Sequence, residues 1–173
     1  MRIFGLAGWS GSGKTTLIVQ LIPALTRHGI TVSTIKHAHH DFDIDQPGKD
    51  SHRHRTSGAT EVMVTSDQRW ALMHELRGAP AQTIGELCRH MSPVDLILVE
   101  GFKREPHPKL EIHRPSVGKP LLAPEDKTIV AIASDAALTG LSLPVLPLND
   151  IEAIARFIIT HCDLTAGERG AAQ

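Results

Sequence analysis

Residues 3–17 read Ile3-Phe4-Gly5-Leu6-Ala7-Gly8-Trp9-Ser10-Gly11-Ser12-Gly13-Lys14-Thr15-Thr16-Leu17. A short apolar run enters a glycine-rich turn, and Leu17, Leu21, Ile22 and Leu25 then recur at helical spacing. Gly8 to Thr15 fit G-x-x-x-x-G-K-[ST] without a gap. The spacing has a direct physical reason. Glycines let the backbone wrap closely round a phosphate chain with its N–H groups turned inward. A lysine at the position of Lys14 reaches the β and γ phosphates, and a hydroxyl at the position of Thr15 ligates Mg²⁺. The helix beginning near Lys14 adds the positive end of its dipole. A strand before and a helix after are the context the motif requires.

Outward from this stretch, Pro23 should kink the first helix and Gly29 should end it. Thr31 to Ile35 is rich in β-branched residues and reads as a second strand, which completes a βαβ unit of a parallel sheet. His37 to Lys49 reads as a loop, and Asp50 to Ser57 as a short helix stopped by Gly58. Glu61–Thr65 and Arg69–His74 read as an antiparallel hairpin within a mostly parallel sheet. Ala81–His90 reads as a helix. Val94–Val99 is almost continuously apolar, as in a buried parallel strand. Three further strands are expected at Leu110–His113, Thr128–Ala133 and Leu143–Leu146. Asn149 with Glu152 has the form of a capping box opening a last helix, which runs to about Cys162. The expected fold is α/β: a mostly parallel, doubly wound sheet with an antiparallel hairpin and helices on both faces. One nucleotide-binding domain is expected over residues 1–162, with a mobile tail over 163–173.

The chain has 173 residues, 41% hydrophobic and 21% charged, which fits a globular chain and not a disordered one. A net charge of −1 gives no bulk attraction to nucleic acid or membrane. No apolar run approaches the roughly 20 residues of a membrane span, and Ile3–Gly8 is too short for a signal peptide. Cys88 and Cys162 stand far apart without ligand-like spacing, which argues against a disulfide scaffold or a cysteine zinc site and points to a reducing cytoplasm.

A phosphate loop of this kind needs an acidic partner for the metal or the attacking water. Glu100, at the carboxyl end of the Val94–Val99 strand, is better placed than Asp95 at its start, where a cap or strand-entry role fits. The loop Lys36-His37-Ala38-His39-His40-Asp41-Phe42-Asp43-Ile44-Asp45 has three readings: a metal site, a switch loop sensing the γ-phosphate, or a polar surface loop. Gln46 and His52 stand where an EF-hand needs Gly and Glu, so that metal site is excluded. Asp135 has two readings. It could accept bonds from a guanine base, or cap a short helix over residues 136–138.

These residues together resemble the molybdopterin-guanine dinucleotide biosynthesis adaptor (MobB) family. The resemblance is carried by Ala7 to Thr16, by Ile35 to Asp45 with Pro47-Gly48-Lys49-Asp50-Ser51, by Gln68 to Met73, and by Leu96 to Lys103. It runs from residue 1 to about residue 160 and is weakest over residues 105–124. It implies a P-loop GTP-binding protein with weak GTPase activity, using GTP and Mg²⁺. It also implies a homodimer that assists attachment of GMP to molybdopterin, together with the guanylyltransferase. Gly11, Gly13, Lys14, Thr15 and Thr16 are the implied nucleotide contacts, with Gly8, Ser10 and Ser12 completing the loop. Lys14 and Glu100 are the candidate catalytic groups. Thr15 and Glu100 are the metal candidates, with Asp41 and Asp43 behind them. His37, His39 and His40 are candidates for phosphate or pterin contact. Related P-loop proteins carry an extra lysine early in the loop. Trp9 and Ser10 stand there in this chain, which makes slow hydrolysis the expectation. Trp70 and Leu72 either face outward from their strand or pack the core.

Two other functions use the same loop. A small-molecule phosphotransferase needs an Arg-rich lid, for which Arg53-His54-Arg55 and Lys103-Arg104 are the available clusters. A metallochaperone GTPase would use the histidine loop.

Overall fold

The computed structural model describes residues 1–38, 42–102 and 105–165. His39, His40, Asp41, Lys103 and Arg104 lie outside the described residues, as does the expected tail from residue 166 onward. The chain divides into two compact units, Met1–His37 with Ser92–Gln173, and Ala38–Met91.

The first unit is built on a six-stranded sheet in the order β2-β5-β1-β6-β7-β8. Its strands are β1 (Arg2–Ala7), β2 (Val32–Lys36), β5 (Leu96–Glu100), β6 (Lys109–His113), β7 (Ile129–Ser134) and β8 (Val145–Pro147). Every pairing is parallel. β3 and β4 belong to the second unit. The order explains the apolar run predicted at Val94–Val99. β5 lies between β1 and β2, and Leu96, Ile97, Leu98 and Val99 are all fully buried. With both faces covered, no polar alternation survives.

Alternate residues of the strands share one face. Phe4 and Leu6 of β1, Leu96 and Leu98 of β5, and Leu110 and Ile112 of β6 form a single core with two helices. Helix α1 (Lys14–Arg27) contributes Leu17, Leu21 and Leu25, and α4 (Ile151–His161) contributes Ile154, Ala155 and Ile158. Each such Leu or Ile removed from water contributes about 1.5–3 kcal/mol before entropy is counted. α1 runs through Pro23, which is exposed, and ends as expected. Gly29 takes a φ of 76°, and the Ile30 N–H donates to the Leu25 carbonyl at 3.1 Å.

Two local expectations need correcting. The cap of α4 is Asp150, whose carboxylate accepts from the Ala153 N–H at 2.9 Å; it is not Asn149. Glu152 does not reach back to complete a box. It meets His28 at 2.5 Å and Arg156 at 3.3 Å. Two adjacent residues can each cap a helix, and the one chosen depends on which turn presents Ile154 and Ile158 to the core. No helix forms over residues 136–138, because the Ser134 hydroxyl accepts the Ala136 N–H at 3.1 Å and turns the chain instead.

The second unit holds α2 (Asp50–Thr56), the hairpin β3 (Glu61–Thr65) and β4 (Trp70–His74), and α3 (Ile84–Arg89). The hairpin is antiparallel, as expected, but forms its own two-stranded sheet. A short turn dictates that β3 pairs with β4; it carries no information about which larger sheet the pair joins. Trp70 and Leu72 face outward, at 61% and 38% exposure. α3 opens with a full capping box that the sequence reading passed over. The Thr83 hydroxyl accepts the Glu86 N–H at 3.3 Å, and the Glu86 carboxylate accepts the Thr83 N–H at 2.8 Å. Among the described residues, no helix is long and apolar enough to cross a membrane.

Candidate functional site

The glycine-rich turn leaves β1 at the point where the strand order reverses, with β5 on one side and β6 on the other. Loops that follow parallel strands at such a switch point share one edge of the sheet. Four of them matter here: those after β1, β5, β6 and β7.

Gly8 could carry no side chain. A Cβ there would lie 2.6 Å from the Ser12 Oγ and 2.7 Å from the Ile112 carbonyl. Gly13 takes a φ of 98° as the cap of α1, a left-handed conformation that lets the helix start directly behind the turn. No side chain caps that end of the helix. The first turn of α1 has no carbonyl four residues earlier in the helix to accept its N–H groups, and the positive end of its dipole lies at the glycine-rich turn. Ser12 is 2% exposed, and its hydroxyl has no hydrogen-bond partner among the described residues. A buried hydroxyl without a partner among the described residues, just ahead of a helix start, is a donor that a phosphate oxygen would satisfy.

Lys14 folds back over the turn, its ammonium donating to the Gly8 carbonyl at 3.0 Å and the Trp9 carbonyl at 2.9 Å. The Thr15 hydroxyl donates to both carboxylate oxygens of Glu100, at 3.2 and 3.3 Å. Lys36 Nζ lies 3.9 Å from the same carboxylate. Thr15 and Glu100 are thus brought together, and they present only hard oxygen donors. That donor chemistry suits Mg²⁺, which is held by one or two protein oxygens, the substrate phosphates and water. Ser10, Gly11 and Thr16 lie on the exposed side of the turn.

Two residues of this edge were missed by sequence reasoning. Arg114, directly after β6, donates through Nε to the Ser12 carbonyl at 3.1 Å and through Nη1 to Asp135 at 2.5 Å. Glu111, fully buried on β6, accepts the N–H groups of Leu122 and Ala123 at 2.7 and 2.8 Å. The segment so fixed offers its Pro120 carbonyl to the Trp9 indole N–H at 2.8 Å. Lys119 Nζ lies 5.7 Å from the Trp9 ring centre. The only available signal was position: both residues lie on or just beyond a strand that borders β1.

The remaining candidates have partners of their own. Asp95 accepts from the Thr31 N–H and hydroxyl, at 2.8 and 2.6 Å, in the strand-entry role expected of it. The His37 N–H donates to the Glu100 carbonyl at 2.8 Å, and its ring meets Phe102 edge-on at 5.1 Å. In the second unit, Asp43 pairs with Arg55 at 2.7 Å, beside Asp45 at 2.9 Å and Glu75 at 3.4 Å. Hydrogen bonding to Arg55 holds the Asp45 carboxyl below its ordinary range, and the three acids raise the Arg55 guanidinium still further. Arg55 is therefore committed to carboxylates, which is not the posture of a phosphate-closing lid. Cys88 and Cys162 are both buried, and among the described residues no three His, Cys, Asp or Glu side chains converge on a metal position.

Residues 3–135 match a family described as MobB, molybdopterin guanine dinucleotide synthesis protein B. The chain is 44% identical over 160 residues to the molybdopterin-guanine dinucleotide biosynthesis adapter protein of Escherichia coli, with 91% of each protein covered. It is 42% identical over 157 residues to the adapter protein of Haemophilus influenzae, covering 90% of this chain and 86% of that one. The crystal structure of a MobB homolog from Bacillus stearothermophilus matches with a TM-score of 0.69 at 25% identity, covering 94% of this chain and 99% of its own.

Proposed function

The chain belongs to the MobB family, molybdopterin guanine dinucleotide synthesis protein B, and from that premise we propose that it is a GTP-binding adaptor with weak GTPase activity that assists molybdopterin guanine dinucleotide synthesis. In this reading it acts as a homodimer together with the guanylyltransferase that joins GMP to molybdopterin. The observation that carries the nucleotide part is the Thr15–Glu100 contact beside the phosphate loop.

The roles follow from the geometry. The N–H groups of Gly11 and of Gly13 to Thr16, with the Ser12 hydroxyl, cradle the phosphates, while the Ser12 N–H is held by the Trp9 carbonyl at 3.2 Å. Lys14 exchanges the carbonyls of Gly8 and Trp9 for β and γ phosphate oxygens. Thr15 and Glu100 are the residues that would hold Mg²⁺, which would supply charge neutralisation at the phosphates. Glu100 also orients the attacking water, which displaces GDP at the γ-phosphorus. The Trp9 indole donates to the Pro120 carbonyl, and Trp9 and Ser10 stand where related P-loop proteins carry an extra lysine, which supports slow turnover.

The test is calorimetric titration of the nucleotide-free protein with GTP and with ATP, each with Mg²⁺. Tight binding with a clear GTP preference supports the reading. Equal affinities, or a preference for ATP, overturn its guanine part. Failure of either nucleotide to bind overturns the whole.

A further inference from the structure

The sheet register places Arg114 and Asp135 side by side. His113 of β6 pairs with Ser134 of β7, and the residues directly after the two strands are Arg114 and Asp135. Neighbouring strands lie about 4.8 Å apart, so a single ion pair spans the two strand ends. Asp135 thereby fixes the plane of the guanidinium through Nη1, and Nε is left aimed at the Ser12 carbonyl, 3.1 Å away. The contact therefore joins the loops after β1, β6 and β7.

The peptide between Ser12 and Gly13 is the one this contact controls. In a trans peptide the C=O and the following N–H point to opposite sides. Holding the Ser12 carbonyl toward Arg114 turns the Gly13 N–H away from it. Gly13 has no Cβ to resist a peptide flip, and its φ of 98° is one that only glycine adopts freely. Little within residues 11–13 would stop that N–H from turning away from an anion. The Arg114–Asp135 pair carries no net charge, so its contribution is orientation and not attraction.

We infer that Arg114 is a positioning residue for the phosphate loop, locking the Ser12–Gly13 peptide with its N–H toward the phosphates, and that Asp135 acts through Arg114 and not on a purine base. The inference rests on the reading of residues 8–15 as a triphosphate site.

The two roles of Asp135 make opposite demands on the ligand. A base-reading carboxylate acts only on ligands with a base, whereas a loop-positioning pair acts on any triphosphate. The experiment measures Mg²⁺-dependent binding of GTP and ATP, and displacement of GTP by inorganic tripolyphosphate, for the wild type and for Arg114→Ala, Arg114→Lys, Asp135→Ala and Lys14→Ala. Arg114→Ala and Asp135→Ala are expected to weaken all three ligands by a common factor of about ten, leaving the GTP:ATP ratio unchanged. Arg114→Lys keeps the charge but not the planar fork, and is expected to recover only part of the loss. It also serves as the test if Arg114→Ala does not fold. Loss of GTP affinity alone in Asp135→Ala, with the GTP:ATP ratio collapsing and tripolyphosphate unaffected, overturns the inference. So does wild-type binding by both Arg114 variants. Lys14→Ala separates the two levels. If it abolishes binding while the Arg114 variants do not weaken it, only the positioning role fails. If it leaves all three ligands unaffected, the triphosphate site itself fails and the inference with it.

Discussion

The Thr15 hydroxyl lies 3.2 and 3.3 Å from the two carboxylate oxygens of Glu100, a residue 85 positions away in the chain. The contact exists because β1 and β5 are parallel neighbours in register, Leu6 opposite Glu100, so the loop after one strand opens beside the end of the other. Removing either oxygen should therefore affect metal-dependent steps. Glu100→Gln should still bind GTP but hydrolyse it about a hundredfold more slowly. Single-turnover hydrolysis at saturating GTP checks this, and unchanged turnover would remove Glu100 from the mechanism.

Lys14→Ala should abolish tight nucleotide binding while the fold persists. Lys14 contacts loop carbonyls at the edge of the sheet and is not part of the apolar core. Circular dichroism alongside calorimetry separates the two effects. Retained affinity would contradict the phosphate-loop assignment.

The cap of α4 gives a sharp comparison between neighbours. Asp150→Ala should cost about 1 kcal/mol of stability, since it strips the acceptor from the Ala153 N–H. Asn149→Ala should be close to neutral. Urea unfolding of both variants decides it, and the reverse ranking would restore Asn149 as the cap.

Asp45 should make stability depend on acid. Its side chain is 2% exposed and hydrogen-bonded by Arg55, which holds the folded-state pKa below the ordinary 3.8. The carboxylate's contribution is complete above that value and is lost as pH falls through the lowered one. Asp45→Asn should therefore lose stability at neutral pH and fall less steeply as pH drops below the ordinary 3.8. Parallel slopes for variant and wild type would count against the pairing.

His107 should act in a higher window. Burial, with the Lys109 charge behind it, pushes the imidazole down to about 4 from an ordinary 6.5. The unfolded chain takes up the proton first, so stability is full above 6.5 and declines as pH falls toward 4. His107→Gln should flatten that decline, as read by denaturation midpoints across the window. An unchanged slope would show that the ring is not held neutral.

Much of this molecule was legible in one dimension because the relevant physics is local. The phosphate loop is a contiguous run whose glycines, lysine and hydroxyl each answer to backbone geometry. The apolar run of β5 announces a strand covered on both faces, and the β3–β4 pairing follows from a short turn. Glu100 and Asp95 could be told apart because they stand at opposite ends of one parallel strand, and Asp95 holds Thr31 at its entry. The cap of α4 was missed by one residue because Asn149 and Asp150 have equal local claims, and packing of Ile154 and Ile158 breaks the tie.

What residue types and spacing determined by themselves was the parallel α/β class and the glycine-rich turn between β1 and α1; the family rested on the resemblance that the motifs carry. What only the tertiary structure decided was which distant residues share the site. Arg114, Asp135 and Glu111 meet the loop or its neighbours because the strand order puts β6 next to β1 and β7 next to β6. Strand order carries no periodicity along the chain. It is settled by which buried faces fit together in three dimensions, so an arginine in a stretch rich in proline and charge shows no sign of its role until the sheet brings it against the Ser12 carbonyl.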